Sequence, residues 1–277
     1  MDGVENLDNY ASLLFELASD DRLNILSLLK KTPLKLSHIS AKLDFTVQET
    51  SRNVTRLSDA KLITKDVDGA FHLTPYGEET LNLLSGFGFL FKNREYFTTH
   101  TLQLLPPQFR NSIGMLEHAE FVNDVMLTFH NVEMMIANAE EFIWILTDQV
   151  LASTIPYLVQ AVQRGAEFHL LMQKTYNPTQ SIRDIVNNPI FATTVRTGKL
   201  ETKFLDKIDA FLCLSEREVA AIAFPNTQAK LDYTAFKSKN AHAIEWTKAL
   251  YTHYWNQASS QLPDQLFQSN HPENQPK

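Results

Sequence analysis

From Leu7 to Ala18 the apolar residues Leu7, Tyr10, Leu14, Leu17 and Ala18 recur at three- and four-residue steps, with polar residues between them. That spacing predicts an amphipathic helix. Asp20 or Asp21 supplies a cap for a second helix running to Leu29 and buried through Leu23, Leu26 and Leu29. LSHISAKL predicts a short third helix with Ser37 as N-cap and Leu36, Ile39 and Leu43 inward. After the turn Asp44-Phe45-Thr46, Thr46 caps a fourth helix from Val47 to about Ala60. Its inward side is Val47, Thr50, Val54 and Leu57. Gln48, Ser51, Arg52, Thr55, Arg56 and Asp59 fall on the other side.

KLITKD and AFHLT read as two strands joined by Asp68-Gly69, a dipeptide suited to a tight hairpin turn. Thr74-Pro75 opens a further helix, with Pro in its first turn and Glu78 and Glu79 at its positive end. Gly86 and Gly88 interrupt that helix before the aromatic stretch FGFLFKNREYF. Leu104-Leu105-Pro106-Pro107 then breaks the chain, because consecutive prolines disfavour helix.

Beyond the prolines the periodicity changes. A helix from about Val122 to Ala139 leads into the apolar run EFIWILT, a buried strand. Another helix, Ser153 to Arg164, exits at Gly165 into the strand AEFHLLMQ. Strand, helix, strand in that order is a right-handed parallel unit. ETKFLD, DAFLCLS and EVAAIAFP follow as strands, and a last helix from about Ala241 to Gln257 buries Ile244, Leu250, Tyr251, Tyr254 and Trp255. The predicted class is α+β. A helical domain with a small hairpin occupies residues 1–85, and residues 86–105 form a linker or dimerisation helix. An α/β domain occupies 106–258, and a disordered tail rich in Pro, Asn and Gln occupies 259–277.

The chain has 277 residues and a formal net charge of −7, which argues against a protein coated in nucleic acid. The charge is uneven, however. From Asp20 to Lys65 there are nine Lys and Arg against five Asp and Glu, a local excess of positive charge. The single cysteine, Cys213, forms no internal disulfide, and the acidic start lacks the basic and apolar regions of a signal peptide. Apolar runs fall short of the ~18 residues that span a bilayer. A cytoplasmic protein without membrane partners is expected.

Helix, short turn, helix and hairpin is the order of a winged helix-turn-helix. Such a fold needs a second helix with one face for its own core and a polar face for the major groove. Arg pairs with guanine through two hydrogen bonds, Gln with adenine, and Ser and Thr reach bases or phosphates. Gln48, Ser51, Arg52, Thr55 and Arg56 are therefore candidate double-stranded DNA contacts, with Lys61, Lys65 and His72 placed to meet the backbone from the wing. A solvated helix face that happens to precede a hairpin is the bland alternative, and an adaptor acting through protein contacts is the functional one.

With RNVTRLSDAKLI and FHLTPYGEETL, the first 85 residues resemble archaeal winged-helix regulators of the ArsR-like kind. LPPQFRNSIGMLEHAEFVNDV, AEEFIWILTDQVL and RGAEFHLLM resemble the methanogenesis-regulator middle domain attached to such winged helices, and ALYTHYW is similar to the endings of related sensor domains. The resemblance implies a homodimeric transcription regulator with a ligand-sensing domain of phospholipase D-like fold. Enzymes of that fold carry His-x-Lys with an Asp four residues on. Here His169 is followed by Leu170 and Leu171, and no histidine stands two before Lys203.

No enzymatic activity, cofactor or metal is expected. There is no Gly-rich phosphate loop and no nucleophile elbow. His118 with Glu117 and Glu120 reads as a solvated face rather than a metal site, and Glu140-Glu141 as a helix end. A small-molecule effector would bind at strand C-termini, where Asp148 and Gln149 follow one strand and Gln173 and Lys174 the next. Phe87, Leu90, Phe91, Arg94 and Phe97 form a candidate seam between subunits, which would set two recognition helices ~34 Å apart on a palindromic operator; the alternative is that they pack inside the monomer against the second domain.

Overall fold

A computed structural model describes residues 2–176 and 199–260, which fall into two compact units divided between Ser85 and Gly86. The class is α+β. The expected tail lies outside the described residues from 261 onward. Ser259, at its predicted start, pairs with Phe204 through two backbone hydrogen bonds of 2.8 and 3.0 Å.

The first unit packs α1 (Asp2–Leu17), α2 (Asp20–Leu29), α3 (Leu36–Leu43) and α4 (Val47–Asp59) with three short strands. These are β1 (Leu34–Lys35), β2 (Ile63–Lys65) and β3 (Ala70–Leu73), all antiparallel in the order β1-β3-β2. Ile25, Leu26, Leu29, Ile39, Val54, Leu57, Leu62, Ile63 and Phe71 make the core. Contrary to expectation, α3 begins at Leu36 with Lys35 before it and Ser37 inside the helix. The wing turns at Gly69, whose φ of 84° is costly for any residue with a Cβ. The Asp66 carboxylate accepts from the Asp68 and Ala70 amides and closes the turn.

A helix α5 (Pro75–Lys92) begins beside the wing. Thr74 Oγ1 accepts from the Gly77 amide at 2.9 Å. A Cβ on Gly77 would lie 2.0 Å from the Leu62 carbonyl oxygen, so helix and hairpin meet here backbone to backbone. Gly86 and Gly88 do not interrupt α5. Glycine weakens a helix without forbidding it, and the predicted break underestimated the packing around it.

The second unit contains a seven-stranded sheet in the order β4-β10-β9-β8-β5-β6-β7. Its strands are β4 (Glu120–Val122), β5 (Phe142–Thr147), β6 (Glu167–Gln173), β7 (Leu200–Leu205), β8 (Phe211–Ser215), β9 (Val219–Ala223) and β10 (Ala235–Ser238). β5, β6 and β7 are parallel and the other pairings antiparallel. The short helices α6 (Arg94–Phe97) and α7 (Pro107–Asn111) precede β4. Next come α8 (Val125–Asn138) and α9 (Ile155–Arg164), which cover one sheet face with Val132, Ile136, Leu158 and Ala161 against Ile143, Ile145, Phe211 and Cys213. The final helix α10 (Ala241–Gln257) covers the other with Trp246, Leu250 and Tyr251 against Leu146, Leu212 and Leu214. Alternate residues of β5 and β8 thus divide between two cores, as a strand's two-residue period requires.

Residues 86–105 do not form a free linker. Phe89, Tyr96 and Leu105 are buried in this unit's core. The Tyr96 hydroxyl donates to the Phe224 carbonyl at 3.1 Å and accepts from the Phe224 amide at 2.9 Å. The predicted helix from Val122 instead starts at Val125, and Glu120–Val122 is an edge strand.

Candidate nucleic-acid interface

The fourth helix is fixed at both ends by local chemistry. At its start, Thr46 Oγ1 accepts from the Glu49 amide at 3.2 Å, and Glu49 Oε2 accepts from the Thr46 amide at 2.9 Å, a capping box. The Thr46 hydroxyl also donates to Glu49 Oε2 at 2.7 Å, and this bond first, then the one from the Thr46 amide, holds the Glu49 carboxyl below its usual range, with the charge of Arg52 a smaller cause. At its end, the Leu62 amide reaches the Leu57 carbonyl and the Lys61 amide reaches Ser58, a Schellman closure. Lys61 holds the left-handed position there, at φ 63°, where glycine is usual.

Between these caps, Thr50, Val54 and Leu57 are buried, whereas Gln48, Ser51, Arg52, Thr55 and Arg56 are exposed. Val47 is 62% exposed and does not join the buried side as expected. The helix period fixes the direction in which Val47 points, but not whether any neighbour covers it. On the wing, Lys65 is exposed and its ammonium lies 5.5 Å from the centre of the Phe71 ring. Lys61 is also exposed. His72 is half-buried, with Nδ1 3.0 Å from the Leu73 carbonyl oxygen.

The two arginines of α4 differ. Arg56 makes two hydrogen bonds to the Glu16 carboxylate of α1, Nε to Oε2 at 2.9 Å and Nη2 to Oε1 at 2.6 Å, and lies 5.2 Å from the centre of the Phe15 ring. The Arg56 hydrogen bond is the largest cause holding Glu16 below the usual carboxylate range. Buried Arg22 also approaches Glu16 at 3.1 Å and donates to the carbonyls of Glu16 and Phe15. Arg52, one turn earlier, makes no ion pair within 4 Å among the described residues. Groove contact by Arg56 therefore competes with an existing partner, while contact by Arg52 does not. Glu16 and Phe15 stand 40 residues or more before Arg56, too distant for sequence spacing to connect them. The capping box was legible as the pattern Thr-x-x-Glu.

The four expected effector residues follow the adjacent parallel strands β5 and β6, whose last paired residues are Thr147 and Met172. Asp148 accepts a hydrogen bond from the Tyr233 hydroxyl, which Gln149 also meets. Gln173 and Lys174 turn to Asp206 instead, Gln173 Nε2 to its carbonyl at 3.3 Å and Lys174 Nζ to its carboxylate at 2.8 Å. Each pair has found a partner on a neighbouring strand connection. Among the described residues no three metal-binding side chains cluster, and no helix is long and apolar enough to cross a membrane. Burial raises the Cys213 thiol well above its ordinary value.

No family model matches the chain, nor does any curated protein. Among solved structures, the archaeal chromatin protein TrmBL2 is similar at 14% identity and a TM-score of 0.41, covering 88% of this chain and 94% of that one. Nuc, a phospholipase D family member from Salmonella typhimurium, matches 46% of this chain and 86% of its own at 14% identity and a TM-score of 0.35. NucT from Helicobacter pylori matches 51% and 96% at 10% identity and 0.38. At that looseness the likenesses carry no argument of their own, so the functional case rests on this chain's residues.

Proposed function

We propose that this chain is a non-enzymatic DNA-binding transcription regulator that works as a homodimer on a palindromic operator, with its second unit sensing a small molecule or holding the dimer. The observation that carries the reading is the division of α4. A helix capped at both ends buries Thr50, Val54 and Leu57 and leaves Gln48, Ser51, Arg52 and Thr55 exposed beside a wing that carries Lys61 and Lys65. That is the arrangement a recognition helix needs to enter a major groove while remaining attached to its domain. The ArsR-like subclass is part of the proposal on the sequence resemblance alone.

Selection of duplex fragments by the purified protein, followed by anisotropy titration over a range of salt, tests it. Phosphate contacts make log K fall linearly with log salt. Enrichment of a palindromic sequence with a steep salt dependence supports the reading. Absence of duplex binding at low salt would sink it and favour the adaptor role.

A further inference from the structure

Val47 stands where neither the core nor the helix accounts for it. It is the first residue of α4, directly after the cap Thr46, and it is 62% exposed. So exposed a valine adds little to the core, and a β-branched side chain is a mediocre helix former. Single apolar residues are ordinary on a mixed surface. Here the surroundings are not mixed. The neighbours of Val47 on the exposed side of α4 are Gln48, one residue on, and Ser51, one turn on. Both are uncharged hydrogen-bonding side chains, and among the described residues neither spends its side chain on a bond within the chain.

The other residues of this first turn are committed to the helix itself. Glu49 Oε2 accepts from the Thr46 amide at 2.9 Å and from the Thr46 hydroxyl at 2.7 Å, which ties its carboxylate to the cap. Thr46 Oγ1 accepts from the Glu49 amide at 3.2 Å in return. Thr50 is buried and donates to the Thr46 carbonyl at 3.0 Å. Val47, Gln48 and Ser51 are left to face outward from a backbone that the capping box holds in place.

The first residues of a recognition helix are the ones that reach base edges. In the major groove every base offers hydrogen-bonding atoms, and thymine alone adds a 5-methyl group. Valine brings two methyl groups and neither donor nor acceptor. Against a cytosine it would cover an amino donor that it cannot satisfy, and against a thymine methyl it makes an apolar contact without that cost. We propose, on the recognition-helix reading of α4, that Val47 is a specificity residue that lies against the 5-methyl group of a thymine in the operator. Gln48 and Ser51 make the polar contacts beside it. Duplexes that bind tightly therefore carry thymine, and not simply a pyrimidine, beneath the start of α4.

The probe is the duplex enriched by selection with the purified full chain, labelled with fluorescein. It is made with thymine and then, one position at a time, with deoxyuridine, which pairs identically and lacks only the methyl group. Anisotropy titration should find a position at which the replacement weakens binding roughly fourfold, the effect of withdrawing one methyl group from burial. Val47→Ala should bind the thymine duplex less tightly by at least that factor. Deoxyuridine at the same position should then make no further difference, because the two changes remove one contact. No charge is lost, so the slope of log K against log salt should stay the same. Alanine is the better helix former, and thermal melting no lower than that of the natural chain checks that the variant is folded. Deoxyuridine that costs nothing at any position would overturn the proposal while leaving duplex binding by α4 intact. So would a methyl effect that persists in Val47→Ala, which would assign that methyl to another side chain. A full chain that enriches no duplex at all would overturn this reading and that of α4 together.

Discussion

The Glu16 carboxylate on α1 accepts two hydrogen bonds from the Arg56 guanidinium on α4, with the Phe15 ring beside the same group. A fork-to-fork pair of this kind fixes orientation as well as charge. It separates the roles of the two arginines on the exposed side of α4. Arg52→Ala should weaken duplex binding by ~1–3 kcal/mol if it reads a base, or lower the salt slope by about one if it touches a phosphate. Arg56→Ala should instead lower thermal stability, as should Glu16→Gln, and the double variant should melt no lower than the worse single one. Additive losses in melting temperature would show that the two side chains act independently.

The same pair predicts a pH dependence. The folded pKa of Glu16 is depressed, chiefly by its hydrogen bond from Arg56. A depressed carboxylate contributes stability above its unfolded pKa, about 4.3 for Glu, and loses that contribution as pH falls through the lower folded value. The gap in melting temperature between the natural chain and Glu16→Gln should therefore be constant near neutrality and close in acid below about pH 4. A gap that persists unchanged into that range would mean the ion pair is not its source.

Gly77 offers a sharper stability test. An added Cβ would stand 2.0 Å from the Leu62 carbonyl oxygen, a contact that only a backbone shift can relieve. Ala is the better helix former by about 1 kcal/mol, so propensity alone predicts stabilisation by Gly77→Ala. The contact predicts the opposite sign, a loss near 3 kcal/mol, the upper end of ordinary substitutions. Denaturant unfolding distinguishes them by sign.

Lys61 tests the other end of the recognition helix. At φ 63° it occupies a site where a side chain costs roughly 1–2 kcal/mol relative to a conformation free of the clash. Lys61→Gly should raise the unfolding free energy by up to about 1 kcal/mol, since glycine's own entropy cost offsets part of the relief. If Lys61 also meets phosphate, the same variant should bind duplex DNA less tightly and with a shallower salt slope. Stability and affinity would then move in opposite directions.

The parts of this fold that sequence revealed are those written locally. Thr46 three residues before Glu49, Asp68-Gly69 and Thr74-Pro75 each specify a cap or turn within a few residues. The strands of the second unit with four or more consecutive apolar positions were equally plain, as in Phe211–Ser215. β1 and β4 were not, because two or three residues display no alternation, and β10, Ala235–Ser238, is scarcely longer. Arg56 illustrates a different limit, since its exposure was readable and its partner, 40 residues away, was not.

The proposed subunit seam is narrower than the sequence suggested. Phe97 is packed inside the second unit, its ring 5.7 Å from Phe89 and edge-on to it, and Leu90 is half-buried against the same core. Phe87 and Phe91, one helical turn apart on α5, are 63% and 71% exposed, and the Arg94 guanidinium lies 5.1 Å from the centre of the Phe91 ring. Exposed aromatic rings of this size, flanked by an arginine, have the composition of contact hot spots. If α5 carries the homodimer, Phe87→Ser with Phe91→Ser should convert the dimer to monomer in sedimentation at micromolar protein while the far-ultraviolet dichroism stays the same. Phe89→Ser should instead unfold the chain, because that ring is fully buried. A double variant that still sediments as a dimer would move the interface off α5. Palindrome binding by an obligate monomer would remove the need for one.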